Sequence, residues 1–307
     1  MKVDFFDTTR VFDYECKRDY AILMSNPDEH VRLFEEECAK YFNVPYCYAA
    51  KSGMAALFLA VRSYNIGSGH KVALATTSHD ILASAISTTK ATPIFCDVDL
   101  DCWTLDPDSV EQKIDKANLI LADHTYGNPC DIECIQMLGD KYEVPVIGAG
   151  INAFGAKILD MSVGSLSDVV VMGFFNKAVI LTNSASTRGL FHEAGGSRRM
   201  EEQDAVFGRI FLRHVDRFTG NKFKKAERYF LHLKDTEAIR FQKVHPEGVH
   251  SYERLAIFVD NRASLIEHLE KNEIETHIHY NTPLHKMKQF EEYNSLVIPI
   301  AEQLCRN

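Results

Sequence analysis

The sequence predicts an α/β protein, a mostly parallel sheet covered by helices, followed by a smaller α+β segment. From Tyr46 to Gly150, short apolar runs alternate with helix-like stretches. Serial βα units of this kind build a parallel sheet whose ligands collect at the carboxyl ends of the strands. From Ser251 the pattern changes to strand, helix and strand over a short length. A chain of 307 residues also exceeds what one core usually holds. These observations place a domain boundary near residues 217–235, dividing the chain into 1–225, with an N-terminal arm, and 226–307.

Residues 1 to about 25 show no clear period and read as an arm. Asn26-Pro27-Asp28-Glu29 is a helix-start signal, and Val31, Phe34, Cys38, Tyr41 and Phe42 follow at helical spacing. Tyr46–Ala50 reads as a strand and Ala55–Val61 as a strongly apolar helix. Lys71–Ala75, Thr92–Asp97, Leu119–His124, Val144–Gly150 and Asp168–Phe175 read as strands. Ile81–Ser87, Pro107–Lys116 and Asp131–Tyr142 read as the helices between them. Ala178–Thr182 is a further apolar run. Glu201–Val215 and Lys222–Leu233 read as two helices. In the last part, Tyr252–Asp260 and Glu275–Tyr280 read as strands flanking a helix at Arg262–Lys271.

The chain carries 46% hydrophobic and 25% charged residues and a net charge of −9, which disfavours nucleic acid or an anionic membrane as partner. No window approaches the ~18 apolar residues of a membrane span, and no leader pattern opens the chain, so the expected location is the cytoplasm. The eight cysteines are scattered without metal or redox spacing and read as reduced, mostly core thiols.

Two stretches carry chemistry. In Lys51-Ser52-Gly53-Met54 a small-residue turn opens a helix, which leaves backbone N–H groups at the positive end of a helix dipole where a phosphate binds; an ordinary N-cap has the same appearance. In Val144 to Lys177 a strand, a turn and a second strand deliver a lysine to the expected ligand crevice. No G-x-G-x-x-G or P-loop pattern follows any strand. His277 and His279, two apart on the expected strand, would share a face. The basic run Lys222–Arg228 reads as a solvated helix face, and Trp103 as packing.

Taken together, several blocks resemble the DegT/StrS family of pyridoxal-phosphate-dependent nucleotide-sugar aminotransferases, almost from end to end. They are Phe34-Glu-Glu-Glu-Cys-Ala-Lys-Tyr41, Ser52-Gly-Met-Ala-Ala56, Pro93-Ile-Phe-Cys-Asp-Val-Asp99, His124-Thr-Tyr-Gly-Asn-Pro129, Arg199-Met200, His279-Tyr-Asn-Thr-Pro-Leu-His285 and Pro299-Ile-Ala-Glu302. The resemblance implies the fold-type-I aminotransferase large domain with a small, shortened α+β C-terminal domain. It implies Lys177 as the lysine that holds the cofactor as a Schiff base, and Ser52, Gly53, Met54, Ile81, Ala149 and Asn152 as the positions around cofactor phosphate and ring. It assigns Arg199, His279, Tyr280 and His285 to substrate, and no metal, since the family pattern explains two of the three nearby histidines.

Several of those positions depart from the family. The carboxylate that faces the pyridine nitrogen falls on Ala149, the stacking aromatic on Ile81, and two phosphate-binding hydroxyls on Met54 and Met172. The ring-flanking Gln is Asn152, the Gly-Gly pair after the lysine is replaced within Asn183-Ser-Ala-Ser186, and the Asn that reaches a neighbouring subunit's cofactor is Ser197. Alanine cannot hold the ring nitrogen protonated, and methionine cannot donate to a phosphate. The leading expectation is therefore a degenerate relative with a degraded pyridoxal-phosphate site, a pseudoenzyme that has lost normal transaminase activity and binds a nucleotide-sugar-like molecule or serves as a partner subunit in amino-sugar, polysaccharide or natural-product assembly; whether pyridoxal phosphate is kept through Lys177 or lost stays open. The alternative is an active enzyme that holds pyridoxal phosphate through Lys177 and transfers an amino group to a nucleotide-linked keto-sugar. Either reading implies a homodimer, or a heterodimer with a catalytic paralogue.

Overall fold

The computed structural model describes residues 14–25 and 28–307; residues 1–13 of the expected arm and Asn26-Pro27 of the helix-start signal lie outside the described residues. In chain order the main elements are α1 (Tyr14–Met24), α2 (His30–Phe42), β1 (Tyr46–Ala50), α3 (Gly53–Ser63), β2 (Lys71–Ala75), α4 (Asp80–Thr88), β3 (Thr92–Cys96), α5 (Pro107–Glu111), β4 (Leu119–Asp123), α6 (Ile132–Tyr142) and β5 (Val146–Gly150). There follow β6 (Lys157–Ile158), β7 (Met161–Ser162), β8 (Val169–Phe174), β9 (Lys177–Thr182), α7 (Ala185–Gly195), α8 (Glu202–Leu233), β10 (Ile239–Phe241), β11 (Gly248–Val249), β12 (Ile257–Val259), α9 (Arg262–Lys271) and α10 (Pro299–Arg306).

Seven strands form one sheet in the order β1-β9-β8-β5-β4-β2-β3. All pairings are parallel except those of β9, which runs antiparallel to both β1 and β8. Every residue of β4, β5 and β8 is buried, because helices cover both faces of the sheet and leave no room for a polar side. Across β8 and β9 the side chains separate into two cores. Val171, Ala178 and Ile180 pack with Leu57, Leu82 and Ile86 on the α3 and α4 side. Val170, Met172, Phe174, Val179 and Leu181 pack with Phe34, Phe42 and Phe211 on the α2 and α8 side. Gly208 makes the second core possible, since a Cβ there would meet the Phe34 ring at 2.6 Å.

Four expectations change. Glu201–Val215 and Lys222–Leu233 are one helix, the 32-residue α8, and the expected boundary at 225/226 falls inside it. Gly220, in the segment expected to break it, lies where an added Cβ would meet nothing within 4 Å. The helix therefore tolerates it at a local cost of ~1 kcal/mol, while Phe211, Val215 and Ala226 bury to either side. Glu275–Tyr280 is not a strand, and Tyr252–Asp260 contributes only Ile257–Val259, paired with β10. Glu275–Tyr280 carries polar side chains at alternate positions and pairs with no strand among the described residues, and in Tyr252–Asp260 the polar Glu253-Arg254 precedes the apolar run that pairs with β10. Pro107–Lys116 splits into α5 and a short 3-10 turn at Ile114–Lys116. The part of the arm that is described is helical: α1 packs on α8 through Tyr20 stacked on Phe207, with Arg217 paired to Glu15 at 2.8 Å.

All eight cysteines are free thiols, and six of them are buried. Trp103 is buried and donates its indole N–H to the Leu100 carbonyl at 3.0 Å. Among the described residues no helix is long and apolar enough to cross a membrane.

Candidate functional site

The carboxyl ends of β4, β5 and β8 face the N-terminal ends of α3 and α4, and most of the residues singled out in the sequence gather there. Ser52 caps α3 by accepting the Ala55 N–H on its hydroxyl at 3.2 Å. The N–H groups of Gly53 and Met54 take no partner among the described residues. They point out of the helix end as an anion would require. The approach is apolar: a Cβ on Gly53 would lie 3.0 Å from Ile81 Cδ1 and 3.5 Å from Ile151 Cδ1. Met54 packs beside them at the edge of the first core.

Lys177 is the first residue of β9 rather than a residue following β8. Phe175 and Asn176 form the turn, with Phe175 at φ 50°, so that Lys177 stands opposite Phe174. Its ammonium pairs with Asp204 of α8 at 2.7 Å. Cross-strand partners share a face. Lys177 therefore leaves the sheet on the Phe174 side, whereas Ala149, opposite Val171, points to the α3 side. Met172, expected near a phosphate, is fully buried on the Phe174 side against Gly150, where an added Cβ would meet its sulfur at 2.4 Å. It is a core residue. Asn152 lies in the turn after β5, with its carbonyl beside Gly127.

At the end of β4 stands Asp123, the register partner of Ala149. It is 3% exposed and accepts a hydrogen bond from the Thr125 hydroxyl at 3.3 Å. Burial pushes its carboxyl up to about 7, opposed by the Thr125 hydroxyl, the His79 amide and the neighbouring Ser78. Among the described residues the buried Thr77 hydroxyl has no hydrogen-bond partner, and the Ser78 hydroxyl lies toward Asp123 without reaching full hydrogen-bond distance. Next along the chain, His124 is fully buried and accepts the Cys130 N–H on Nδ1, so its proton is on Nε2, which has no partner among the described residues. Burial holds this imidazole down at about 4.

The C-terminal part closes over the same edge. The Tyr126 ring lies 5.3 Å from that of Tyr280 and 6.1 Å from that of His279, and Arg254 donates to His279 Nε2 at 2.9 Å. His277 and His279 do not share a strand face; their rings meet edge to face at 4.6 Å. Two expected substrate residues are held elsewhere. His285 is completely buried between the Thr76 hydroxyl at 2.7 Å and Glu302 at 3.2 Å, a strut joining the end of β2 to α10. Arg199 bridges to β1 at Ala50 and pairs with the buried Glu35 at 3.6 Å.

The residues that sequence reasoning missed are Asp123, Asp204 and Ile151. Asp123 did have a signal: it is the one charged residue of Leu119-Ile-Leu-Ala-Asp123, an otherwise apolar strand.

The family model for the DegT/DnrJ/EryC1/StrS aminotransferase family matches residues 22–185 and 181–307. A relative from Aneurinibacillus thermoaerophilus, dTDP-3-amino-3,6-dideoxy-alpha-D-galactopyranose transaminase, is 29% identical over 297 residues, covering 88% of this chain and 81% of that protein. Among solved structures, DesV of S. venezuelae in complex with a ketimine intermediate superposes with a TM-score of 0.92 at 24% identity, over 99% of this chain and 91% of that one. NtdA of Bacillus subtilis, with bound cofactor PMP, superposes at 0.88 with 18% identity, over 99% of this chain and 79% of that one.

Proposed function

The chain belongs to the DegT/DnrJ/EryC1/StrS aminotransferase family, and we propose that it is a pyridoxal-phosphate-dependent aminotransferase acting on a nucleotide-linked keto-sugar, with an amino acid as amine donor. The observation that supports this best is that β1, which leads into the open helix end at Ser52–Met54, pairs at Ala50 with Ala178, the residue after Lys177 in its hairpin. The named activity of the relative supplies the substrate class.

The residues present fit the cofactor at three points. The N–H groups of Gly53 and Met54 and the dipole of α3 suit its phosphate. Ile81 and Ile151 offer apolar surface to a ring, without the π face of an aromatic. Lys177 supplies an amine at the end of the sheet. When bound, pyridoxal phosphate supplies an electron sink for removing a proton next to the amino group. The Lys177–Asp204 pair has to open before the amine serves the α3 side, and the four-carbon stem is long enough to turn over the sheet's end. Asp204 is then the partner from which Lys177 is released when the cofactor enters. Tyr126, His279 and Tyr280 line the outer side, where they exclude water and contact the substrate. The assignment of Arg199 to substrate depends on its release from Glu35, and that of His285 on a path to a side chain now enclosed.

The test is a half-reaction: protein loaded with pyridoxal phosphate is given glutamate, and 2-oxoglutarate is measured with the change in the cofactor's near-visible absorption. Stoichiometric 2-oxoglutarate supports the proposal, and its absence from a coloured, folded protein contradicts it. A second reading, a binding or partner subunit that does not transaminate, is favoured by the methyl group at Ala149 and the apolar lid of Ile81 and Ile151 over the helix end. It predicts a protein that remains colourless at high cofactor concentration.

A further inference from the structure

We propose that Asp123 provides the carboxylate which the family places at position 149, moved one strand across the sheet, so that Asp123 faces the ring nitrogen of bound pyridoxal phosphate; this rests on the aminotransferase reading above. Four observations support it. First, Asp123 and Ala149 are partners in the parallel register of β4 and β5, so their side chains leave the same face at the same level, on strands ~4.8 Å apart. Second, that face is the one covered by α3 and α4, where the phosphate-binding helix end lies: Ala149 and Val171 pack in the core with Leu57 and Leu82.

Third, the carboxyl is buried without a cation beside it among the described residues. The groups that act on it are the hydroxyl of Thr125, the amide of His79 and the neighbouring Ser78 hydroxyl. The other ionisable groups that sense it are Tyr126, Tyr280 and Cys130, all of which are neutral when protonated. A buried carboxylate with no opposite charge is costly to keep for packing alone, and such groups concentrate where a ligand brings the missing charge. A pyridinium nitrogen would bring it. Fourth, in the segment leading from β2 into α4 the Ser78 hydroxyl lies toward the carboxyl without reaching full hydrogen-bond distance, and the adjacent Thr77 hydroxyl is buried with no partner among the described residues, so polar groups at this end of the sheet remain unsatisfied in the protein by itself.

Ala149 and Asp123 thus form a complementary exchange: removal of the acid on β5 is matched by an acid on β4. The consequence for chemistry is that the ring's electron sink survives the change at position 149.

The experiment compares the full-length protein with Asp123→Asn and with the double variant Asp123→Asn, Ala149→Asp, by titrating pyridoxal phosphate and following near-visible absorption and quenching of protein fluorescence. Thermal unfolding is recorded for each to confirm folding. Asp123→Asn keeps the size and one acceptor oxygen, and is expected to weaken cofactor binding roughly 10- to 100-fold, the loss expected for a charge-assisted hydrogen bond. The double variant, which returns an acid to the neighbouring strand, is expected to recover most of that loss. Wild-type binding that Asp123→Asn leaves unchanged would overturn the inference while leaving the aminotransferase reading intact. Loss of affinity in a folded Asp123→Asn that Ala149→Asp does not rescue would overturn the exchange. No binding by the wild type at millimolar cofactor would overturn both.

Discussion

Asp123 and Ala149 stand side by side, as register partners on neighbouring parallel strands, one a buried acid with no cation beside it among the described residues and the other a methyl group. The pair decides how the departures at this site are to be weighed. Counted along the chain, the alanine is the loss of a carboxylate. Placed in the sheet, it has a carboxyl within one strand spacing on the same face.

The first prediction concerns stability. Burial raises the folded-state carboxyl of Asp123 to about 7, above the ~3.9 of an unfolded chain, so between these values the folded protein binds more protons than the unfolded one. Its contribution is therefore complete below about pH 4 and is lost as pH rises through 7. Asp123→Asn should be neutral near pH 4 and stabilising above pH 7, by up to about 4 kcal/mol, since one pKa unit is ~1.4 kcal/mol. Urea denaturation of the two proteins at pH 4.5 and pH 8 checks this. A difference independent of pH would show that the carboxyl is not perturbed.

Asp204 restrains Lys177. The two side chains are about a quarter exposed, so the pair contributes less than about 1 kcal/mol to stability, and Asp204→Asn should unfold close to wild type. It should instead raise the rate at which the cofactor's absorption band develops, roughly two- to fivefold, by freeing the amine. Stopped-flow mixing with pyridoxal phosphate measures the rate. A slower rate would mean that Asp204 assists the lysine rather than resting it.

Ala149→Asp by itself places two carboxyls on adjacent strands, where the charge on one disfavours the charge on the other. Cofactor affinity should then gain little, less than about threefold, because only one of the two is ionised at neutral pH. A cofactor titration decides. A large gain from this single change would show that Asp123 had not filled the role.

His285 tests a substrate expectation against a structural one. With both ring nitrogens engaged by Thr76 and Glu302 in the interior, His285→Ala should cost about 2–4 kcal/mol, read as a lower midpoint with unchanged slope in guanidinium unfolding. Cofactor affinity measured well below the unfolding transition should not change. A loss of substrate affinity at full stability would restore the role first given to this residue.

Much of this architecture was legible in the sequence, and for identifiable reasons. Strands covered on both faces are continuous apolar runs, so β2, β4, β5 and β8 stood out, and Ser52 announced the start of α3. The break expected in α8 and the strand expected at Glu275–Tyr280 failed because local preference was overruled by what each segment had to pack against. Lys177 stands at an end of the sheet that its apolar neighbours announce, but its face and its partner Asp204 depend on a two-residue turn and on a helix distant in sequence. Asp123 escaped notice for the same reason. Motif comparison reads one strand at a time, and only the register of β4 against β5 brings it beside Ala149.

The central claim, that this chain uses pyridoxal phosphate through Lys177, is tested most directly by reducing the cofactor-loaded protein with borohydride and mapping the adduct by mass spectrometry. The account predicts a single phosphopyridoxyl group on the peptide containing Lys177, formed at stoichiometric cofactor and lost in Lys177→Ala. An unmodified Lys177, with label absent or scattered over surface lysines, would contradict it.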